Sequence, residues 1–308
     1  MTAIAARARG LGTTILAADA LAELERVRDL DQLAAALGRG LVSPGEVDAE
    51  TIDRLVRDRV ASDLAILARW TDRLAPLELD EDRRSLRALV RGLAGAVPAR
   101  RRLAGTVPTA RLSRSRLAAL GDAVTIGELV ALLARYDHPL AQALAESPTP
   151  IDPLAIELAL ARRFADLARP YDHAMRDHVE QVIDAENAAA ALQLAARGQG
   201  VDVDAAFVAG GRLVDRGAFV TAAAAPIDTA REVLARALAH TPLPRALFAS
   251  APAALEDAAL AWQLQTQARL RRIEPLGLAP AVYVVLCRRD EARHLRRAAW
   301  RIALGGAA

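Results

Sequence analysis

Five histidines, one cysteine and an acidic trio are the side chains of this 308-residue sequence with chemical potential, and their spacing decides what they could do. The histidines are His138, His173, His178, His240 and His294. No two stand in an H-x-x-x-H arrangement, which would set a pair of imidazoles on one helical face for zinc. His173 and His178 are five apart, a spacing that turns them well away from each other on a helix. Asp80-Glu81-Asp82 could contribute to a magnesium site only with carboxylates at i and i+4 and a second acidic cluster, but Arg83-Arg84 follow and no second cluster does. Cys287 lies in an apolar stretch without the histidine or glycine context of a nucleophile, and no serine sits in a G-x-S-x-G elbow. The chain has no lysine, which excludes a phosphate-binding GxxxxGK[ST] loop and Schiff-base chemistry, because both need an ammonium group. No catalytic, cofactor-binding or metal-ligating residue is therefore expected, nor any direct nucleotide contact.

With chemistry set aside, composition points to packed helices. The residues are 53% hydrophobic but only 3% aromatic, and Ala and Leu, the strongest helix formers, supply most of the apolar content. A single cysteine precludes an intrachain disulfide and suits a reducing compartment. Arg7 and Arg9 interrupt the early apolar stretch, so a signal peptide is not expected. The apolar run Leu276 to Cys287 holds Pro280 and falls short of the roughly 20 residues of a membrane span. A net charge of +2 implies no nucleic-acid partner. Locally the balance differs: from Arg83 to Gly121 there is no acid, while Arg83, Arg84, Arg87, Arg91, Arg100, Arg101, Arg102, Arg111, Arg114 and Arg116 all fall inside. Such a stretch is either a solvated face or one turned to an acidic partner or anionic head groups.

The elements that must position these residues repeat at a helical period. Ala292, Leu295, Ala299 and Ile302 step by three and four with arginines between them. Alternating strand patterns are missing, so the fold class is all-α. Breaks are expected at Ser43-Pro44-Gly45, Gly95 to Pro98, Ser147 to Pro153, Gly198 to Gly200, Gly210-Gly211 and Thr241-Pro242. An internal repeat runs across them. Leu132-Leu133-Ala134-Arg135 with Pro139-Leu140, Ala143 and Leu144 recurs as Val233-Leu234-Ala235-Arg236 with Pro242-Leu243, Ala246 and Leu247, and a weaker copy begins at Leu33 and continues to Gly40-Leu41. After each copy comes a helix with a glutamate near its start: Glu50, Glu157, Glu256. Each unit closes with an acid followed three residues later by a polar side chain: Asp82 and Ser85, Asp184 and Asn187, Glu291 and His294. Three helical units, 1–98, 99–200 and 201–308, are expected. Taken alone, the repeated acid reads either as a helix-start device meeting free N–H groups or as an interaction residue.

At these closing motifs the sequence resembles the C subunit (the vacuolar d subunit) of the V/A-type rotary ATPases, whose three homologous domains each end in a D-x-x-N-L-type helix. The middle copy is nearest, with Asp184 and Asn187, then Gly198 and Gly200, then Gly210-Gly211-Arg212-Leu213. The first copy runs from Asp82 through Ser85 to Arg91, and the third from Glu274-Pro275-Leu276-Gly277 to Glu291, His294 and Arg296. The resemblance covers most of the chain and is patchy before residue 75; Ser85 and His294 stand where the family usually has Asn.

The resemblance implies a non-catalytic rotor subunit without cofactors, shaped as a pseudo-threefold funnel. It would sit peripherally on the cytoplasmic face of the plasma membrane, between the membrane proteolipid ring and the D and F subunits of the central stalk, and carry torque for proton or sodium transport. Asp82, Ser85, Arg91, Asp184, Asn187, Glu291 and His294 are the interaction residues it implies. A free-standing helical scaffold or regulator is the alternative, and a metal-dependent helical lyase or prenyl-transfer enzyme a lesser one.

Overall fold

A computed structural model describes residues 2–37, 47–145, 152–168, 172–198, 202–249, 251 and 253–305, and every regular element among them is helical. The all-α class holds. The first stretch comprises α1 (Thr2–Gly12), α2 (Ala18–Leu24), α3 (Leu30–Leu37), α4 (Ala49–Ala68) and, after a 3-10 turn at Asp72–Leu74, α5 (Ala75–Ala94). Next come α6 (Ala99–Arg102), α7 (Arg114–Asp122), α8 (Ile126–Arg135), α9 (Ala141–Ala145), α10 (Pro153–Leu167) and α11 (His173–Arg197). The last stretch holds α12 (Val203–Ala206), α13 (Arg216–Ala224), α14 (Ile227–Ala237), α15 (Leu243–Leu247), α16 (Ala254–Ile273) and α17 (Ala279–Ala303). From α6 to α11 the lengths are 4, 9, 10, 5, 15 and 25 residues. From α12 to α17 they are 4, 9, 11, 5, 20 and 25.

Local chemistry sets these boundaries. Asp48, Ser113, Thr125, Asp152, Asp172 and Asp215 each cap a helix by accepting a backbone N–H of its first turn, and prolines enter the first turns of α5, α10 and α17. The repeated segment falls on corresponding helices, its leucines Leu133 and Leu234 fully buried on α8 and α14, and Leu140 and Leu243 buried at the starts of α9 and α15. Leu33 of the weaker copy is buried on α3. Gly40-Leu41 and the break at Ser43-Pro44-Gly45 lie outside the described residues, as does much of Ser147 to Pro153.

Packing runs between stretches as much as within them. α5 lies on α10, α11 on α16, and α17 on α4. One apolar cluster therefore joins Leu86 and Leu89 of α5 to Phe164 of α10, Ile183 of α11 and Phe219 of α13. A second joins Ile52, Val56 and Val60 of α4 to Leu295 and Ala299 of α17. The third gathers the beginnings of the three long closing helices, through Leu74 and Leu77, Ala174 and Met175, and Leu278 and Ala279. No helix among the described residues is long and apolar enough to cross a membrane.

Candidate functional site

The acids Asp82, Asp184 and Glu291 lie well inside α5, α11 and α17, which removes the helix-start reading for them. Each instead accepts hydrogen bonds from the chain of another stretch. Asp82 receives Thr109 Oγ1 at 2.5 Å and faces His138 Nε2 at 3.1 Å. Asp184 receives the backbone N–H groups of Arg212, Leu213 and Val214 at 2.9 to 3.1 Å. Burial pushes its carboxyl above the usual range, against the pull of those donors. Gly210 makes this approach possible with φ at +111°, and a Cβ at Gly211 would overlap Asp184 Oδ1. Glu291 accepts the Leu16 N–H at 3.0 Å and pairs with Arg288, which also holds Asp63 at 2.8 Å and Thr14 Oγ1 at 2.6 Å.

The residue one turn beyond each acid works beside it, because residues three apart share a helix face. Ser85 Oγ accepts the Val107 N–H at 3.0 Å. Asn187 bonds both backbone groups of Val208, donating to its carbonyl at 2.8 Å and accepting its N–H at 3.0 Å. His294 Nδ1 lies 2.6 Å from Glu25 Oε1. Ser85 and Asn187 are fully buried, while His294 keeps 31% of its side chain exposed. Six of the seven expected interaction residues thus occupy three seams, each tying a closing helix to the stretch that follows it, with α17 returning to the N-terminal stretch.

Arg91, the seventh, lies on the outer part of α5 and grips Glu157 of α10 with Nε at 2.5 Å and Nη2 at 2.7 Å. It belongs to a dense ionic cluster between α5, α10, α11, α16 and α17. Arg83, buried, pairs with Asp80 at 2.9 Å and Glu186 at 2.7 Å; Arg87 pairs with Glu186 at 2.7 Å and Glu256 at 2.8 Å. Arg289 reaches Asp80 at 3.0 Å and also pairs with Glu81. Although burial alone would raise both acids, Arg289 and Arg83 hold the Asp80 carboxyl far below its ordinary value, and Arg87 and Arg83 hold Glu186 down at about 2. His178 lies 3.9 Å from Asp80 with neither ring nitrogen hydrogen-bonded, and burial pushes its pKa down to about 3, so it is a neutral imidazole at neutral pH and the contact is no ion pair.

Five of the ten arginines in the acid-free stretch pair with acids among the described residues of this chain. Besides Arg83, Arg87 and Arg91, Arg100 pairs with Glu50 at 2.9 Å and Arg114 with Asp58 at 2.7 Å. Arg102 donates to the carbonyls of Val97, Gly121 and Ala123. Glu186, absent from the residues expected on sequence grounds, could have been sought because so many buried arginines require acids from elsewhere.

A cavity of about 300 Å³ opens within this cluster, lined among others by Arg84, Arg87, Arg91, Glu186, Glu256 and Arg296. Toward the starts of α5, α11 and α17 it ends at Asp80 and the Arg289 layer, behind which lies the apolar cluster of Leu77, Met175 and Leu278. Arg84 lines the cavity and forms no ion pair among the described residues. Among the described residues, no group of three or more His, Cys, Asp or Glu side chains is placed to hold a metal ion. Cys287 is half-buried, its thiol pushed up by burial.

A family model for the ATP synthase (C/AC39) subunit matches residues 4–307. Two curated proteins, each the C subunit of a V-type ATP synthase and from two strains of Thermus thermophilus, are similar to part of the chain. Each is 42% identical over 91 residues, which covers 28% of this chain and 28% of the relative's own length.

Proposed function

This chain belongs to the ATP synthase (C/AC39) subunit family, and on that premise we propose that it is a non-catalytic central-stalk subunit of a V/A-type rotary ATPase or ATP synthase. In this reading it is a socket on the cytoplasmic face of the membrane. It joins the proteolipid ring to the D and F subunits of the stalk and transmits torque in ATP-linked proton or sodium transport. The stretches 1–98, 99–200 and 201–308 are its three homologous units, arranged as a pseudo-threefold funnel. Support comes from the recurring helix lengths and from the cyclic pairing of α5 with α10, α11 with α16 and α17 with α4.

The observation that carries the socket role is the charged cavity, lined by closing helices and bearing Arg84, which is drawn to Asp80 and Glu256 but closes no ion pair among the described residues. A rim of ion pairs, buried at Arg83 and Asp80, holds its shape under load, while Arg84 supplies a charge for an acidic group of the axle. The seam residues Asp82, Ser85, Asp184, Asn187, Glu291 and His294 act on assembly by fixing the units around that cavity, and Arg91 by bracing its outer edge.

Capture of the co-expressed D and F subunits by the tagged chain tests this directly. The wild-type chain should retain them, and Arg84→Glu should lose at least about tenfold in affinity with its thermal melt unchanged, the cost of about 1.4 kcal/mol expected for one charge reversal in a partly enclosed site. A wild-type chain that captures neither subunit favours a free-standing scaffold, and an Arg84→Glu variant that binds normally removes the cavity from the interface.

A further inference from the structure

Apart from the central cavity, a groove of about 870 Å³ runs between α1, the start of α2, α16 and α17. Its walls are largely aliphatic, including Leu16, Leu264 and Val284. Arg9, Arg271 and Arg272 also line it, and all three are exposed. Arg9 donates to the Pro275 carbonyl at 3.0 Å, and Arg271 stacks over the Tyr283 ring at 3.8 Å, so two of the three guanidinium groups are held in place. None of them enters an ion pair among the described residues, whereas the acids nearby are Glu274 and Asp290, the latter 3.7 Å from His294.

Beside this cationic rim the turn between α16 and α17 projects Ile273 and Leu276, 67% and 50% exposed. The turn between α4 and α5 carries Trp70, 56% exposed, beside Arg69, Asp72 and Arg73. Leu67 and Leu74, which flank the second turn, share one apolar cluster with Leu270 and Leu278, which flank the first, so both tips belong to one end of the molecule.

An aliphatic slot, an arginine rim and protruding apolar side chains together match a molecule with a phosphodiester and a hydrocarbon tail, and an exposed tryptophan suits the head-group layer. We propose that the groove binds an anionic phospholipid, its acyl chain along Leu16, Leu264 and Val284 and its phosphate against Arg9, Arg271 and Arg272. Ile273, Leu276 and Trp70 enter the interfacial layer of the same membrane. Three guanidinium groups that enter no ion pair among the described residues, set beside an aliphatic slot, favour a phospholipid over a protein ring as the occupant. This site adds to the socket reading a direct hold on the membrane, and its test involves no stalk subunit, so its failure leaves the capture of stalk subunits untouched.

The full chain is mixed with vesicles of phosphatidylcholine, with and without phosphatidylglycerol, and binding is read by flotation. Alkylation of Cys287, the sole cysteine and a lining residue of the groove, is followed with a maleimide in parallel. Binding is expected only with phosphatidylglycerol, together with slowed alkylation of Cys287. Arg271→Ala/Arg272→Ala should weaken it about thirtyfold, roughly fivefold for each arginine, and Ile273→Ser/Leu276→Ser should weaken it without altering the thermal melt. Equal binding to both vesicles, no binding to either, or binding that leaves Cys287 fully reactive and ignores Arg271→Ala/Arg272→Ala would overturn the proposal. So would inorganic phosphate that slows Cys287 alkylation as well as the vesicles do, and so would a proteolipid ring in detergent that does the same after delipidation.

Discussion

At the scale of single residues, the most consequential side chains satisfy buried backbone groups of a neighbouring stretch. Asn187, the only asparagine, answers both polar groups of one buried backbone unit at Val208. Asn187→Leu leaves an N–H and a C=O without partners, each costing about 1–3 kcal/mol, whereas Ser85→Ala removes chiefly one acceptor and should cost about 1–2 kcal/mol. Urea unfolding of the two variants should therefore rank Asn187→Leu as the more damaging; equal midpoints would contradict the seam role.

His178 gives a pH dependence with a defined sign. Its folded pKa lies at about 3 against 6.5 for the free side chain, so the unfolded chain binds the extra proton and stability falls as pH drops from about 6.5 toward 3. Between pH 6 and 4 the wild-type stability should fall more steeply than that of His178→Leu, by up to about 1.4 kcal/mol per pH unit. Glu186, held at about 2, adds a loss below its ordinary 4.5 that both proteins share.

Helices are joined here by charge as well as by apolar area. α17 meets α5 through Arg289 with Asp80 and Glu81, all buried, and meets α16 through Arg297 with Asp257 nearer the surface. Removing one member of a buried set strands the others, so Arg289→Met should destabilise by about 3–5 kcal/mol. Arg297→Ala, at 47% exposure, should cost under about 1 kcal/mol. Comparable losses for both in a denaturant melt would mean that water reaches the Arg289 layer.

The whole molecule inherits a cooperativity that three repeats alone would not predict. Because α5 is buried by α10, α11 by α16 and α17 by α4, the apolar clusters cross the boundaries at 98 and 200. The full chain should unfold in one transition, and a fragment of residues 201–305 should lack a cooperative melt, since it exposes the face of α17 that α4 covers. Separate transitions for the three stretches would show independent domains instead.

Helix content was legible in the sequence because it is written locally: alanine and leucine propensity, a three-to-four period, and capping side chains act within a few residues. The repeated acids and the Gly210-Gly211 loop were legible too, though not their purpose, since Asp184 meets the 212–214 backbone only after α11 and the following loop have docked. Arg83 shows where local reading ends. Its acids are Asp80, three residues away, and Glu186, more than a hundred residues along, and nothing in the spacing ties the second to it. An arginine's charge specifies that some acid must neutralise it once water is removed, but the long-range packing of α5 against α11 decides which one.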